Sequence, residues 1–405
     1  DTGSVNLDFT APTLTTLAIT SDNGDNTEAT TGDTITLDIV SSEEISSLAC
    51  TIAGQSATVA SDDLDGTDSD WSATYTILGT ETEGDTAISC TAGADAAGNV
   101  MDEETTATAG AVNIDYTAPT LTTLTIVSDN GDNTGYATTT DEITIDVVAS
   151  ESISNLVCTI AGETIDNFAD EGAGTDWGGT YTVDGNEAQG TAAISCTAGE
   201  DAAGNVMAED TTTSDGNDVN IDYANPTLDD IVISSSNDDS TEATTLDTIT
   251  LTITASEAIT GLVCTIDGEA TTMGGSGTSW TSSLTVSGDE TQGDTSFSCT
   301  SGTDVAGNTM AEDTDADSGA VNIDYTAPTI GISSTGGDGY VNAAESTAVV
   351  VTGTTTGVAD GTSGTVTYGG SGNSETGTVN SDEWSVTITN PTGVSDGLVA
   401  VTANV

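Results

Sequence analysis

The sequence predicts an all-β protein built as a row of tandem β-sandwiches, and three observations carry that reading. A short segment occurs four times along the 405 residues, apolar and polar side chains alternate inside each unit, and cysteines occur as one pair per unit in the first three units. The segment Val5-Asn6-Leu7-Asp8-Phe9-Thr10-Ala11-Pro12-Thr13 recurs at 112–120, at 219–227 with Ala224-Asn225 in place of Thr-Ala, and at 321–329. Its aromatic residue stands at Phe9, Tyr116, Tyr223 and Tyr325, which sets periods of 107, 107 and 102 residues. Low aromatic content (4%) and extreme charge would by themselves favour disorder, but repetition at this length marks folded units in series.

The elements follow in order within each unit. After the linker, Thr34-Ile35-Thr36-Leu37-Asp38-Ile39-Val40 puts Ile35, Leu37 and Ile39 on one face, the period of a half-buried strand. Clusters of Asp, Asn, Gly, Ser and Thr at 21–33 and 128–141 separate such runs as turns, and no long helical pattern occurs. A tryptophan opens a later strand in every unit, at Trp71, Trp177, Trp280 and Trp384, and is expected to fill the core. Each period is the size of one immunoglobulin-like sandwich. The expected divisions are a strand at 1–10 that belongs to a preceding unit or acts as a donor, repeats at 11–116, 117–223 and 224–325, and a fourth unit at 326–405 lacking its last strand.

Cys50 and Cys90, Cys158 and Cys196, and Cys264 and Cys299 are separated by 40, 38 and 35 residues. In the immunoglobulin order they fall on strands C and F, neighbours in one sheet, so a bridge inside each unit is expected, with buried reduced thiols as the other reading. Zinc is disfavoured because there is no CxxC and no histidine. Disulfides imply an oxidising, extracytoplasmic compartment.

Charge narrows function further. The chain has no lysine, arginine or histidine against 67 aspartates and glutamates, a formal charge of -67. That removes imidazole bases, Schiff-base lysines and phosphate clamps, and it makes nucleic acid an improbable partner. A carboxylate-pair glycosidase is the one surviving enzyme reading, and acids spread evenly over repeated loops look like surface instead of a cleft. Self-repulsion must be offset by cations from the medium. There is no transmembrane run and no N-glycosylation sequon with a permitted middle residue, which leaves O-linked sugars open.

Asp-Tyr-Thr-Ala-Pro-Thr at 115–120, Ser-Glu-Ser-Ile at 150–153, the Trp177 strand and Asp201-Ala202-Ala203-Gly204-Asn205 together resemble the Ig-like repeats of bacterial and archaeal adhesins and surface-layer proteins. Gly-Tyr-Val-Asn-Ala-Ala-Glu at 339–345 resembles the start of another adhesin module. The resemblance implies tandem immunoglobulin-like sandwiches in an elongated rod at the cell surface, with a mechanical, stalk or lattice role.

With strands alternating in direction, the loops after the second and sixth strands lie at the linker end of a unit, and the loop after the first strand lies at the far end. For the second unit this gathers Asp115, Glu151, Asp201 and Asn205, with Asp22 and Asp25 contributed by the first unit. The matching set for the third unit is Asp222, Glu257, Asp304, Asn308, Asp129 and Asp132, and for the first unit Asp8, Glu43, Asp95 and Asn99. Carboxylates, amides and carbonyls suit calcium, which takes six to eight oxygens. The alternative is that these acids are solvated turn formers. The sequence therefore points to a non-enzymatic structural protein of an extracellular microbial filament or surface layer, calcium-stiffened and self-assembling, or else to the stalk of a large adhesin. The expected partners are metal cations and copies of the chain itself, the latter through strand donation by residues 3–9.

Overall fold

A computed structural model describes residues 3–61, 67–369 and 372–405 of the chain. Regular structure among these residues is entirely strand, and the fold is a tandem array of β-sandwiches. The chain divides into two compact units, Asp1–Pro226 with Thr303–Met310, and Thr227–Gly302 with Ala311–Val405.

In the first unit, one four-stranded sheet has the order Leu14–Ser21, Thr34–Ser46, Thr67–Thr76, Thr58–Ser61. Opposite it lie Gln55–Ser56, Ala49–Ile52 and Ile88–Thr91, and a small third sheet joins Glu28–Ala29, Asn113–Ile114 and Gly84–Asp85. The last of these contains the recurring segment: Asn113–Ile114 runs parallel to Glu28–Ala29 and antiparallel to Gly84–Asp85. The same arrangement repeats with Leu121–Ser128, Glu142–Ala149, Asp176–Thr182 and Asp166–Gly172, and with Glu163–Thr164, Val157–Ile160 and Ile194–Thr197. Alternation works as the sequence requires: Ile35, Leu37 and Ile39 are fully buried with Leu17, Ile52 and Ile114 in one core, and Ile143, Ile145 and Val147 do the same in the next. Each such side chain contributes about 1.5–3 kcal/mol by leaving water.

In the second unit, Leu228–Ser235, Thr248–Ile259 and Thr272–Thr285 form a sheet opposite Glu269–Ala270, Val263–Ile266 and Phe297–Thr300. A further sandwich follows, with Thr329–Thr335, Ala348–Thr356 and Glu383–Thr389 in one sheet and Ser374–Thr378, Ser363–Tyr368 and Val401–Asn404 in the other.

All six cysteines are bridged, in the pairs Cys50–Cys90, Cys158–Cys196 and Cys264–Cys299. Each pair is directly opposed across two antiparallel neighbours of one sheet, with Cα atoms 4.1 Å apart. The close approach is that of a pair not hydrogen-bonded to itself, since Cys90 exchanges its backbone bonds with Glu104.

The tryptophans depart from expectation. Trp71, Trp177 and Trp280 are only half-buried, and each indole N–H donates to a backbone carbonyl three residues earlier, Asp68, Gly174 and Gly277 respectively. Trp384 alone is fully buried.

Candidate metal centres

The five-residue hairpin turn after the second cysteine organises each centre. In the first repeat, Asp95 Oδ1 accepts the backbone N–H of Ala97 and Asn99, at 2.9 and 2.8 Å, while Asn99 Nδ2 donates to Asp95 Oδ2 at 2.8 Å. The intervening Gly98 has φ +89°, a left-handed conformation that favours glycine. Asn99 then reaches the linker and donates to the Asp8 carbonyl at 3.3 Å. The second repeat copies this: Asn205 donates its backbone N–H and its side-chain Nδ2 to Asp201, and the same amide to the Asp115 carbonyl at 3.1 Å. In the 303–310 loop, Asp304 and Asn308 are related in the same way, with Asn308 Nδ2 donating to the Asp222 carbonyl at 3.0 Å.

This places a buried acid from the hairpin beside a linker aspartate. A third acid comes from the second strand region of the sandwich: Glu43 in Thr34–Ser46, and Glu151 just beyond Glu142–Ala149. Carboxylate oxygens of Asp8, Glu43 and Asp95 all lie within 4.8 Å of one another, as do those of Asp115, Glu151 and Asp201. Burial, followed by Asp8 and Asp95, raises the Glu43 carboxyl above its ordinary value. Burial, followed by Asp115, Asp201 and Glu83, does the same to Glu151. Asp95 is instead held low, first by the Asn99 amide. Oxygens on opposite sides of a calcium ion stand about 4.6–5.2 Å apart, twice the 2.3–2.6 Å bond length, so a triad of this span fits around one ion. The donors are hard oxygens throughout, and the chain supplies no cation of its own. Glu257, the third acid expected beside Asp222 and Asp304, lies in Thr248–Ile259 of the second compact unit.

The other residues expected at the centres stand apart from the acidic triads. Asn99, Asn205 and Asn308 donate their amide N–H groups to the hairpin acid and to the linker carbonyl, strapping hairpin to linker. Asp22, Asp25, Asp129 and Asp132 do not join the triads. Asp22 accepts the Thr34 N–H at 2.6 Å, Asp25 accepts both the N–H and hydroxyl of Thr27, and Asp129 accepts the Glu142 N–H at 2.8 Å, each closing its own turn. Asp132 lies against Gly307, where an added Cβ would sit 2.4 Å from its Oδ2.

The residues that do bridge from those turns are asparagines the sequence reading passed over. Asn23 Nδ2 donates to the Ala203 carbonyl at 2.9 Å and is oriented by Asp33, and Thr30 donates to Asn205 Oδ1 at 2.7 Å. Buried Asn130 donates to the Ala306 carbonyl at 3.0 Å and is oriented by Asp141. The available signal is Ser-Asp-Asn-Gly-Asp-Asn-Thr, identical at 21–27 and 128–134. Glu83 was also missed: it receives the Tyr116 N–H and the Thr117 hydroxyl and adds to the field on Glu151, while Gln189 and Gln292 take its place later.

Fold and centres define a chain of Ig-like β-sandwiches whose linkers are tied to the modules by acids and amides. No family model and no curated protein matches the chain. Among solved structures it is similar to a Ca2+-stabilized adhesin that helps an Antarctic bacterium reach out and bind ice, at 20% identity over 96% of this chain and 98% of that one, with a TM-score of 0.36. It is also similar to a tetra-tandem repeat in the extending region of a large adhesion protein, at 22% identity over 96% and 94%, with a TM-score of 0.32. A third is the ICAM-5 D1–D4 ectodomain fragment, at 11% identity over 95% and 98%, with a TM-score of 0.29.

Proposed function

We propose that this chain is a non-enzymatic structural part of an extracellular microbial surface filament or surface layer, stiffened by calcium at its module junctions. The observation that carries the proposal is the return of one acidic triad, linker aspartate, sandwich glutamate and hairpin aspartate, as Asp8–Glu43–Asp95 and again as Asp115–Glu151–Asp201. A divalent ion held there would neutralise most of three converging negative charges and pin the linker to the module body, so a flexible string becomes a rod of set spacing. Three buried disulfides fit an extracellular setting. A second reading, the stalk of a large adhesin, is favoured by the same regular linkage, which fixes a distance without needing polymerisation.

Calcium titration followed by calorimetry tests the centres, with Glu151→Gln as the variant. Calcium at 100 times its Kd should stabilise by about 2.7 kcal/mol per site, and Glu151→Gln should remove one binding event. Absence of calcium binding at millimolar concentration, with a melting profile indifferent to chelator, would sink the proposal. Electron microscopy in calcium separates the two roles: ordered polymers support the filament or lattice, and isolated rods the stalk.

A further inference from the structure

Asn23 and Asn130, which reach from their own turns to a later hairpin, are also the two asparagines of the chain that precede a glycine. Their counterpart in the third repeat, Asn237, is followed by Asp238. The pairing matters chemically, because the backbone nitrogen that follows an asparagine can attack its side-chain Cγ, and glycine, having no Cβ, leaves that nitrogen open. Gly24 is exposed, an added Cβ there would meet nothing within 4 Å, and its N–H donates to no group among the described residues. Asn23 Oδ1 accepts the Asp25 N–H at 3.0 Å, an arrangement that folds the side chain back along the chain that follows it and polarises the carbonyl to be attacked.

The group at risk is the one that holds the contact. Asn23 Nδ2 donates to Asp33 Oδ2 at 2.7 Å and to the Ala203 carbonyl at 2.9 Å. An aspartate at 23 has no hydrogen for either acceptor. It would set a carboxylate against the Asp33 carboxylate and against the carbonyl of a buried residue, so two donations give way to like-charge repulsion and an unpaired acceptor. The Thr30 hydroxyl on Asn205 would then hold the hairpin without the amide beside it.

We propose that Asn23 is a site of spontaneous deamidation, and that its conversion unlatches the 201–205 hairpin of the second repeat from the first repeat. The Gly24 nitrogen, its proton passed to hydroxide or water, bonds to Asn23 Cγ. The Cγ–Nδ2 bond breaks and Nδ2, taking up a proton from water, leaves as ammonia. Water then adds to the cyclic imide and opens it at either carbonyl, giving aspartate or isoaspartate; water is the only co-reactant and nothing is oxidised or reduced. Asn130 lags behind. It is buried, its Oδ1 accepts the N–H groups of both Asp132 and Asn133 at 2.9 Å, and its Nδ2 is held by Asp141 and the Ala306 carbonyl, so attack there must first break a tighter set of bonds. No metal takes part, so the proposal stands apart from the calcium reading.

The full-length chain is aged in mildly alkaline, calcium-free buffer and mapped by mass spectrometry of peptic peptides, since it offers trypsin no lysine or arginine. The expected result is exchange of amide for acid at 23 first and at 130 later, with both aspartate and isoaspartate products, while 237 keeps its amide. Gly24→Ala, which the open space around Gly24 admits, should suppress the change at 23. Hydrogen exchange on the aged parent, and on Asn23→Asp, should show protection lost at Gly204, Asn205 and Met207, whose N–H groups close the second hairpin, and kept at Gly98, Asn99 and Met101 in the matching first one. An amide that persists at 23, conversion at 23 that Gly24→Ala does not slow, or a second hairpin that stays protected after conversion would each overturn the proposal.

Discussion

The repeats and the fourth sandwich use the same strand register and fill it differently. Ile39 lies opposite Trp71, Val147 opposite Trp177 and Ile253 opposite Trp280, and in each case the aliphatic residue is buried while the indole stays half-buried with its N–H on a carbonyl. The fourth sandwich puts Gly353 opposite Trp384. An added Cβ at Gly353 would meet the Trp384 ring at 2.2 Å and the Gly331 carbonyl at 2.0 Å, so the missing side chain is what admits the indole. Trp384 Nε1 is buried without a hydrogen-bond partner, a polar cost the repeats avoid. Covalent stiffening differs at the equivalent place as well: Val366 opposes Ala403 where the repeats have opposed cysteines. One module type combines an aliphatic core with a bridge, the other has no bridge and buries two aromatics, Trp384 and Tyr368, among its valines.

The sharpest way to break this comparison is to remove the indole from each. Trp384→Ala should cost about 3–5 kcal/mol, the range for a buried aromatic, and Trp177→Ala less, because its ring is only partly buried where it packs on the core and on Phe168. Hydrogen exchange read peptide by peptide would show protection lost across 348–389 in the first variant and only modest change across 142–182 in the second. Equal losses would mean that burial of the indole is not what distinguishes the modules.

Reduction should act in the opposite pattern. Opening a loop of this size removes about 3–4 kcal/mol in the chain-entropy view, so a reductant should lower the unfolding transitions of the three bridged repeats and leave the protection of 348–404 unchanged. A uniform shift across the chain would deny the fourth sandwich its independence from disulfides.

These contrasts also show where sequence reasoning reaches. Alternation such as Ile35, Leu37 and Ile39 fixes the buried face because period and pleat coincide, and paired cysteines on neighbouring strands need only a sheet order to be matched. The position of a tryptophan is a different kind of fact, decided by a residue more than thirty positions away across the sheet, as Gly353 decides it for Trp384. The acids of the linker and hairpin were legible because chain direction alone brings them to one end. Asp22, Asp25 and Asp129 stay within their own loops because an aspartate in a turn finds a backbone N–H there, while the neighbouring Asn23 and Asn130, able to donate, reach the next hairpin.

The smallest expected effect concerns acids that no pattern announced. Glu81, Glu187 and Glu290 are buried, each accepting backbone N–H groups of its own turn, such as Leu78 and Thr80 on Glu81. Burial pushes the Glu81 carboxyl up, but the Tyr75 hydroxyl at 2.5 Å and those N–H groups outweigh it and hold it at about 2. Glu290 is likewise held at about 2 against burial, with Ser287 taking over where Leu284 replaces the tyrosine. A carboxyl whose folded value lies below its ordinary 4.5 adds stability above that value and loses it as pH falls towards 2. The exposed acids work the other way, since protonating them relieves self-repulsion. The clamp is therefore isolated as a difference: between pH 5 and 2, Glu81→Gln/Glu187→Gln/Glu290→Gln should lose less stability, or gain more, than the parent, with the substitutions costing about 1–3 kcal/mol each at neutral pH. The fourth sandwich, with Val394 in this position, should show the same acid response in both proteins, and a change there would mean that the glutamates act through overall charge instead of through their turns.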